Sequence, residues 1–472
     1  MIWTYVSLGG SKLLVFASSL ILARLLTPAE FGQVGFALLV ISYLDTIGDL
    51  GVSAALIYEQ KRPEQAAHVA FIISLIMGIV WFVLAMLGAP LIARFFKDPA
   101  VVPLVRVLAW IFVLTALGNV HDALLRRELD FKQRLIPDLA RALLKGTASV
   151  LLALLGGGVW SLVWGQLLGA AASTLALWMI VPWRPRWRVS WDLLREMLRY
   201  GSQIVSVNVL SAIIHHADHV IVGRLLGSVA LGFYGMASRL PEFFVTMVIW
   251  VVGNIAFPAY ARLQGDRPTL QRAFLVTLRY LSLVTVPTGV GLAVLGAPVI
   301  LTLYGPQWEP SIPVLQALAL AGCLRSLGSH AGDVYKAVGR PDILVRVGLV
   351  RAVVLVPTLV WGAGGGIGTV ALAQLTITGA STLLNLYIAS RVLTLPLKTL
   401  LAQFKPAAIS TAVMLMGLHL LPPLLGSWPN VVRLTVSAAL GFGIYATCLW
   451  LISPEAVRQA RAAIAFSLRK AI

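Results

Sequence analysis

The chain has 472 residues, of which 59% are hydrophobic and 12% charged, with a mean hydropathy of +0.88. Soluble domains carry about twice that charge, so a single water-facing globule is excluded and the chain must live in lipid. Its formal net charge of +18 comes without a nucleic-acid-binding module, which excludes nucleic acid as the partner and leaves a topology signal and attraction to anionic membrane lipids.

Apolar stretches of about 20 residues, each able to cross about 30 Å of hydrocarbon, recur nearly end to end. The first six predicted spans are 2–22, 32–57, 68–95, 103–121, 136–155 and 159–182. The first lacks a basic leader region and a small-residue cleavage site and is expected to be a retained helix. Residues 183–200 follow as a connector, Trp183-Arg-Pro-Arg-Trp-Arg-Val-Ser-Trp191 and then Asp192 to Tyr200. Leu194, Met197 and Leu198 there form an apolar stripe opposite Arg195 and Arg199, as in an amphipathic helix lying on the interface. Six further spans cover 201–222, 231–258, 274–303, 310–334, 344–362 and 367–390, and two more cover 406–423 and 432–452. In lipid every backbone amide must be satisfied within its own segment, and continuous apolar runs exclude a barrel. The predicted fold class is therefore an all-α membrane protein with 14 transmembrane helices. No loop is large enough to hold a soluble domain, so function is expected between the helices. Cys323 and Cys448 fall within spans and report nothing on redox compartment.

The chain also repeats itself. Ile21-Leu-Ala-Arg-Leu-Leu-Thr-Pro-Ala-Glu-Phe-Gly-Gln-Val-Gly-Phe-Ala37 lies over Ile221-Val-Gly-Arg-Leu-Leu-Gly-Ser-Val-Ala-Leu-Gly-Phe-Tyr-Gly-Met-Ala237, with Arg24/Arg224, Gly32/Gly232 and Gly35/Gly235 in register. The echo continues through Leu87-Gly-Ala-Pro90 and Leu295-Gly-Ala-Pro298, Leu117-Gly118 and Leu327-Gly328, Arg141 and Arg351, and Ala172-Ser-Thr-Leu175 and Ala380-Ser-Thr-Leu383. Duplicated helical halves are a common transporter plan. Residues 1–182 and 201–391 are the two six-helix lobes, related by a pseudo-two-fold repeat along the membrane normal. Residues 392–472 add helices thirteen and fourteen and a basic tail. With the amino terminus inside, most of the 37 basic residues fall on the cytoplasmic side, among them Arg126, Arg127, Lys132, Arg134, Arg184, Arg186, Arg188, Arg262 and Arg267. Arg24, Arg94, Lys97 and Arg224 fall on the other. Positive charge stays inside, so both termini are predicted to be cytoplasmic.

A charge at the bilayer centre costs about 2.5–3.5 kcal/mol, so each intramembrane charge needs a partner, a watery cavity or a snorkelling route. Lys12 is mid-span in helix one, and Asp45 and Asp49 lie one turn apart in helix two, with Asp45 at the depth of Lys12. A Lys12/Asp45 ion pair and a ligand contact are both open readings. In helix eight Arg239 has Glu242 one turn on, and an internal pair is again one reading. The other is a cleft, since one cation from each lobe is what an anionic head group needs. Arg141, Lys145 and Arg351 enter from the cytoplasmic ends of helices five and eleven, to snorkel or to line a vestibule. Arg325, with His330 and Asp333 nearby in helix ten, is open in the same way, and Arg24 and Arg224 are expected to anchor outer helix ends. His215 and His219 share a face, but His216 stands where the Glu of a His-Glu-x-x-His zinc motif would be. No metal is expected; a polar cavity wall or imidazole proton exchange is. With no phosphate loop and no nucleophile motif, no cofactor is expected either.

Ala23-Arg-Leu-Leu-Thr-Pro-Ala-Glu-Phe-Gly32, Asp49-Leu-Gly-Val-Ser-Ala-Ala-Leu56 and Asp218-His-Val-Ile-Val-Gly-Arg-Leu-Leu-Gly-Ser-Val-Ala-Leu-Gly-Phe-Tyr234 resemble the signatures of polysaccharide-transport flippases of the O-antigen and colanic-acid type. These belong to the multidrug/oligosaccharidyl-lipid/polysaccharide exporter superfamily, and the resemblance covers essentially the whole chain. It implies two lobes around a central cavity, alternating access, and movement of polyprenyl-diphosphate-linked oligosaccharide across the cytoplasmic membrane for surface polysaccharide synthesis. It implies cavity-facing basic residues on helices one and eight, here Lys12 and Arg239, with Lys standing where peptidoglycan-precursor flippases have Arg, a departure that bears on bidentate diphosphate binding. It implies H+ or Na+ coupling, for which Asp45, Asp49 and Asp218 are the candidates, and polysaccharide polymerase and chain-length machinery as partners. A cation-coupled drug antiporter of the same superfamily would share the fold and favour cavity acids. A membrane glycan polymerase or transferase is the enzyme alternative, and it would need a sizeable catalytic loop that the chain lacks.

Overall fold

The computed structural model describes residues 2–454 apart from 49, 50, 60, 129, 188, 189 and 421–427. Among the described residues every regular element is helical. Two compact units are present, Met1–Gly232 and Phe233–Ile472.

The first unit begins with α1 (Ile2–Leu25) and α2 (Pro28–Gly48), joined by a two-residue corner. The corner is a capping box: the Glu30 carboxylate accepts the Thr27 amide at 2.7 Å and the Thr27 hydroxyl at 2.9 Å, and Pro28 opens the helix where its missing N–H costs nothing. There follow α3 (Val52–Tyr58), α4 (Pro63–Phe96), α5 (Val101–Leu108), α6 (Trp110–Arg127), α7 (Phe131–Leu154), α8 (Val159–Ile180) and the first arm of α9 (Trp191–Arg262). The predicted second span is thus split between α2 and α3, and the fourth between α5 and α6. The connector is no separate helix, since α9 starts at Trp191 and runs on into the seventh span. Leu193 and Met197 are its buried side chains, packed with Val52, Leu56 and Phe71, while Trp187 and Trp191 are 78% and 75% exposed.

α9 is broken at Gly227 into two arms, and the second unit begins within the second arm, at Phe233, and continues with α10 (Arg267–Val294), α11 (Gly296–Leu303), a 3₁₀ turn at Pro306–Ser311, α12 (Ile312–Ala337), α13 (Asp342–Ala363), α14 (Ile367–Val392), α15 (Leu397–Ala402), α16 (Lys405–Leu420) and α17 (Asn430–Ile452). Asp266 caps α10, and hydrogen bonds from the Thr269 hydroxyl and amide hold its carboxyl below the ordinary range. The last two helices pack on each other and on α10, where the Tyr445 hydroxyl donates to the Leu283 carbonyl at 2.7 Å. Nine helices among the described residues are long and apolar enough to cross a membrane, which makes this a multi-pass membrane protein.

Lipid gives helices no hydrophobic reason to associate, so small residues and interhelical hydrogen bonds decide which ones meet. They do so in repeat-matched pairs. In the first unit Gly78 on α4 faces Phe112 and Ala116 of α6, where an added Cβ would come within 2.6 Å of the Ala116 Cβ. In the second, Gly289 on α10 faces Ala319 and Cys323 of α12, with 2.7 Å to the Cys323 Cβ. Gly118 meets Thr174, and Gly328 meets Thr382. The Thr174 hydroxyl donates to the Leu114 carbonyl at 2.8 Å, and its counterpart Thr382 donates to the Leu324 carbonyl at 2.8 Å.

The tightest approach joins the two signature segments themselves, inside the first unit. A Cβ on Gly32 would lie 1.7 Å from the Ser228 carbonyl oxygen, and one on Gly232 would lie 1.9 Å from the Pro28 carbonyl oxygen. Residues 28 and 228 are repeat counterparts, as are 32 and 232, so the same contact is made twice in reversed roles. Gly227 permits it. Its φ of 88° and ψ of −177° interrupt α9 in a region that side-chain-bearing residues avoid.

Gly32→Ala and Gly232→Ala are each expected to cost about 1–3 kcal/mol or more, because backbone rather than a side chain would have to yield. Thermal unfolding of the detergent-purified protein checks this, with Gly88→Ala, which meets nothing within 4 Å, expected to be neutral. Thr174→Val and Thr382→Val should each cost about 0.6 kcal/mol, and by similar amounts.

Candidate functional site

In the first unit the polar residues gather on α2, α7 and the first arm of α9. Lys12 on α1 and Asp45 on α2 are both exposed, and among the described residues no ion pair joins them. Of the two readings of Lys12, the structural ion pair is therefore not formed. Asp45 is instead in the field of Arg141 on α7. Asp49 lies outside the described residues.

Asp218, on α9, is 7% exposed. Its Oδ1 takes the His219 backbone amide at 2.8 Å and lies 2.9 Å from His219 Nδ1. His216 presents its ring edge-on to Tyr43 of α2, with centroids 5.7 Å apart, and the Asp218 charge acts on the same Tyr43. Tyr43 and Asp45 are two residues apart on α2 and so point to different sides of that helix, which leaves Asp218 near Tyr43 and Asp45 in the field of Arg141 as separate arrangements. His219 is engaged by Asp218 and His216 by Tyr43, while His215 is exposed. Arg224, one turn beyond, stacks over the Phe95 ring at 5.3 Å, which suits the anchoring role expected of it.

In the second unit Arg239 is exposed on the second arm of α9, and the buried Tyr304 lies in its field. Glu242 is exposed, and among the described residues no ion pair joins it to Arg239. Arg351 is half-buried on α13. Arg325 is half-buried on α12, with its Nε out of reach of any acceptor among the described residues.

One turn on from Arg325 a cavity of about 430 Å³ opens between the second arm of α9, α10 and α12. Ser326, Ser329, His330, Asp333 and Lys336 line it from α12 at helical spacing, and Gly253 and Phe257 face them from α9. Lys336 Nζ pairs with Asp333 Oδ1 at 3.2 Å. His330 is held as a rigid floor: Tyr260 Oη is 2.7 Å from its Nε2, and Phe274 stacks on it at 5.1 Å and 7°. The sequence singled out His330 and Asp333 and missed the two serines and Lys336, although the i, i+3, i+4, i+7, i+10 spacing of the five was readable as one polar stripe. In the first unit another histidine, His121 on α6, is fully buried against Trp178 and Trp183.

Comparison with known proteins bears on this arrangement. The succinoglycan biosynthesis transport protein ExoT of Rhizobium meliloti (strain 1021) is 28% identical over 460 residues, covering 97% of this chain and 93% of the relative. The lipopolysaccharide biosynthesis protein WzxC of Escherichia coli (strain K12) is 25% identical over 78% of this chain and 75% of its own length. The teichuronic acid biosynthesis protein TuaB of Bacillus subtilis (strain 168) is 24% identical over 72% of this chain and 71% of its own. Among solved structures, the lipid II flippase MurJ in an inward closed conformation superposes with a TM-score of 0.78 at 15% identity, covering 97% of this chain and all of that one. An inward-facing multidrug resistance MATE transporter of the MOP superfamily superposes at 0.69 with 16% identity, over 83% and 98%. These likenesses establish a shared fold. The family model described as polysaccharide biosynthesis protein matches residues 21–313, more than half of the chain and inclusive of all three signature segments, and the chain belongs to that family.

Proposed function

We propose that this protein is a flippase for lipid-linked oligosaccharide, moving polyprenyl-diphosphate-linked repeat units across the cytoplasmic membrane by alternating access. The observation that carries this reading is that a chain aligned over 97% of its length with a succinoglycan biosynthesis transport protein leaves Lys12 and Arg141 exposed on apolar helices. Cations held in lipid without burial are costly, and an anionic substrate that visits them offsets that cost. The proposed chain crosses the membrane 14 times with both termini inside. Residues 1–182 and 201–391 act as the two transporting halves, 183–200 connects them, and 392–472 supplies the added helices.

Lys12 and Arg239 would hold the diphosphate, Arg239 in a bidentate manner and Lys12 as a point charge. Arg141, Arg325 and Arg351 extend the basic lining. Asp45, Asp49 and Asp218 are the acids proposed to take up the coupling H+ or Na+, and the buried Asp218, bonded to an imidazole, has a ready route for proton exchange. Binding and release here need no bond making or breaking, so the role is transport rather than catalysis. A polysaccharide polymerase with its chain-length machinery would consume the product on the outer face.

In a deletion strain lipid-linked oligosaccharide should accumulate, and the wild-type gene should clear it. Unchanged lipid-linked pools together with altered sensitivity to cationic dyes would instead assign the chain to organic-cation export. Lys12→Ala and Arg239→Ala should each lower transport about tenfold or more, the value of one charge-assisted hydrogen bond of about 1.5–3 kcal/mol, with normal membrane insertion and with Lys12→Arg retaining activity. In proteoliposomes with an imposed proton or sodium gradient, Asp45→Asn and Asp218→Asn should flatten the gradient dependence while downhill flipping persists. Full gradient response in both variants would remove these acids from coupling.

A further inference from the structure

We propose that the cavity in the second unit is a subsite for a neutral sugar residue of the substrate, a reading that rests on the transport function above. The cavity volume of about 430 Å³ falls within the roughly 300–1,000 Å³ typical of small-molecule sites. Its charges decide the ligand class. Asp333 and Lys336 neutralise each other at 3.2 Å, so neither a diphosphate nor an organic cation meets a net opposite charge.

What the wall offers is hydrogen-bonding capacity. The Ser326 hydroxyl donates to the Gly322 carbonyl at 3.0 Å and the Ser329 hydroxyl to the Ser326 carbonyl at 2.9 Å, which leaves both oxygens as acceptors. Asp333 Oδ2 is a further acceptor on the Gly253 side, where an added Cβ would come no closer than 3.9 Å. Lys336 retains donors beyond the one spent on Asp333. Opposite this wall stands Phe257, whose ring also lies 6.0 Å from Lys336 Nζ. A pyranose has this two-sided chemistry, with hydroxyls that donate and accept around its rim and a C–H face that packs on an aromatic ring. Under the proposed topology the Lys336 end of α12 is cytoplasmic, so the subsite would receive the glycan on the side where it is loaded.

The test uses the full-length Ser329→Cys protein in nanodiscs and follows alkylation of the introduced thiol by N-ethylmaleimide, quantified on its own peptide. The probes are free glucose, galactose, mannose and N-acetylglucosamine, with sodium pyrophosphate and tetraphenylphosphonium as anionic and cationic comparators. At least one sugar should slow alkylation about threefold when present at twice its Kd. Gly253→Leu, which fills the cavity without a backbone clash, should abolish that protection at unchanged thermal stability. Asp333→Asn should weaken it about tenfold in Kd. Protection by pyrophosphate or tetraphenylphosphonium in place of sugar overturns the proposal, as does sugar protection that survives Gly253→Leu, or no protection by any sugar. A wild-type protein that flips lipid-linked oligosaccharide while no sugar protects refutes the subsite alone. One that fails to flip refutes the transport reading.

Discussion

The close passage of two backbones at Gly32 and Gly232 is the constraint on which the first unit depends. A helix corner and a helix break are brought within carbonyl contact of each other, and only residues without a Cβ permit it. The capping box at Thr27 and Glu30 fixes the angle at which one signature arrives, and the positive φ of Gly227 fixes the other. Each half of the repeat thus contributes a rigid bend made by different chemistry, a hydrogen-bonded cap in one and glycine freedom in the other. The two bends interlock in reversed roles, so the contact binds one sequence copy to the other within the first unit.

Around this fixed point the polar chemistry divides by environment. Two acids on helix walls have close partners and are buried or half-buried, Asp218 with His219 and Asp333 with Lys336. The cations Lys12, Arg141 and Arg239 are exposed. In the proposed reading these cations await an anionic substrate. The same contrast separates the two proposed binding chemistries: a cationic lining for diphosphate, and a charge-balanced, aromatic-backed cavity for sugar.

Much of this was legible beforehand, for a physical reason. Hydropathy reports the transfer of whole segments into lipid, so the positions of the helical segments were readable, and glycine, proline and threonine in register disclosed the duplication. The Thr174 and Thr382 bonds, reached by a matching Ala-Ser-Thr-Leu string, show how far that register extends. What hydropathy does not encode is continuity. Nothing in residues 183–200 tells an interfacial helix from the first turns of α9; the difference lies in Leu193 and Met197 finding a core to enter. Pairing was equally hidden. Lys12 and Asp45 match in depth, yet depth along two helices does not set their rotation, and Asp45 turns out to sense Arg141. The cavity on α12 needed Phe257 and Gly253 from a distant stretch of chain, which no local pattern in helix ten announces.

The crossing at Gly32 and Gly232 also sets an order of events during synthesis. The first compact unit includes residues up to Gly232, well into the second sequence copy. Its α1–α2 corner therefore has to wait, with a bare glycine face, until almost half of the 472 residues have left the ribosome. At about 5–20 residues per second that interval is on the order of ten seconds or more, during which the early helices sit in the bilayer without their closing partner. A chain stalled or cleaved before the second signature would thus present the insertion and quality-control machinery with a set of inserted helices lacking the contact that locks them.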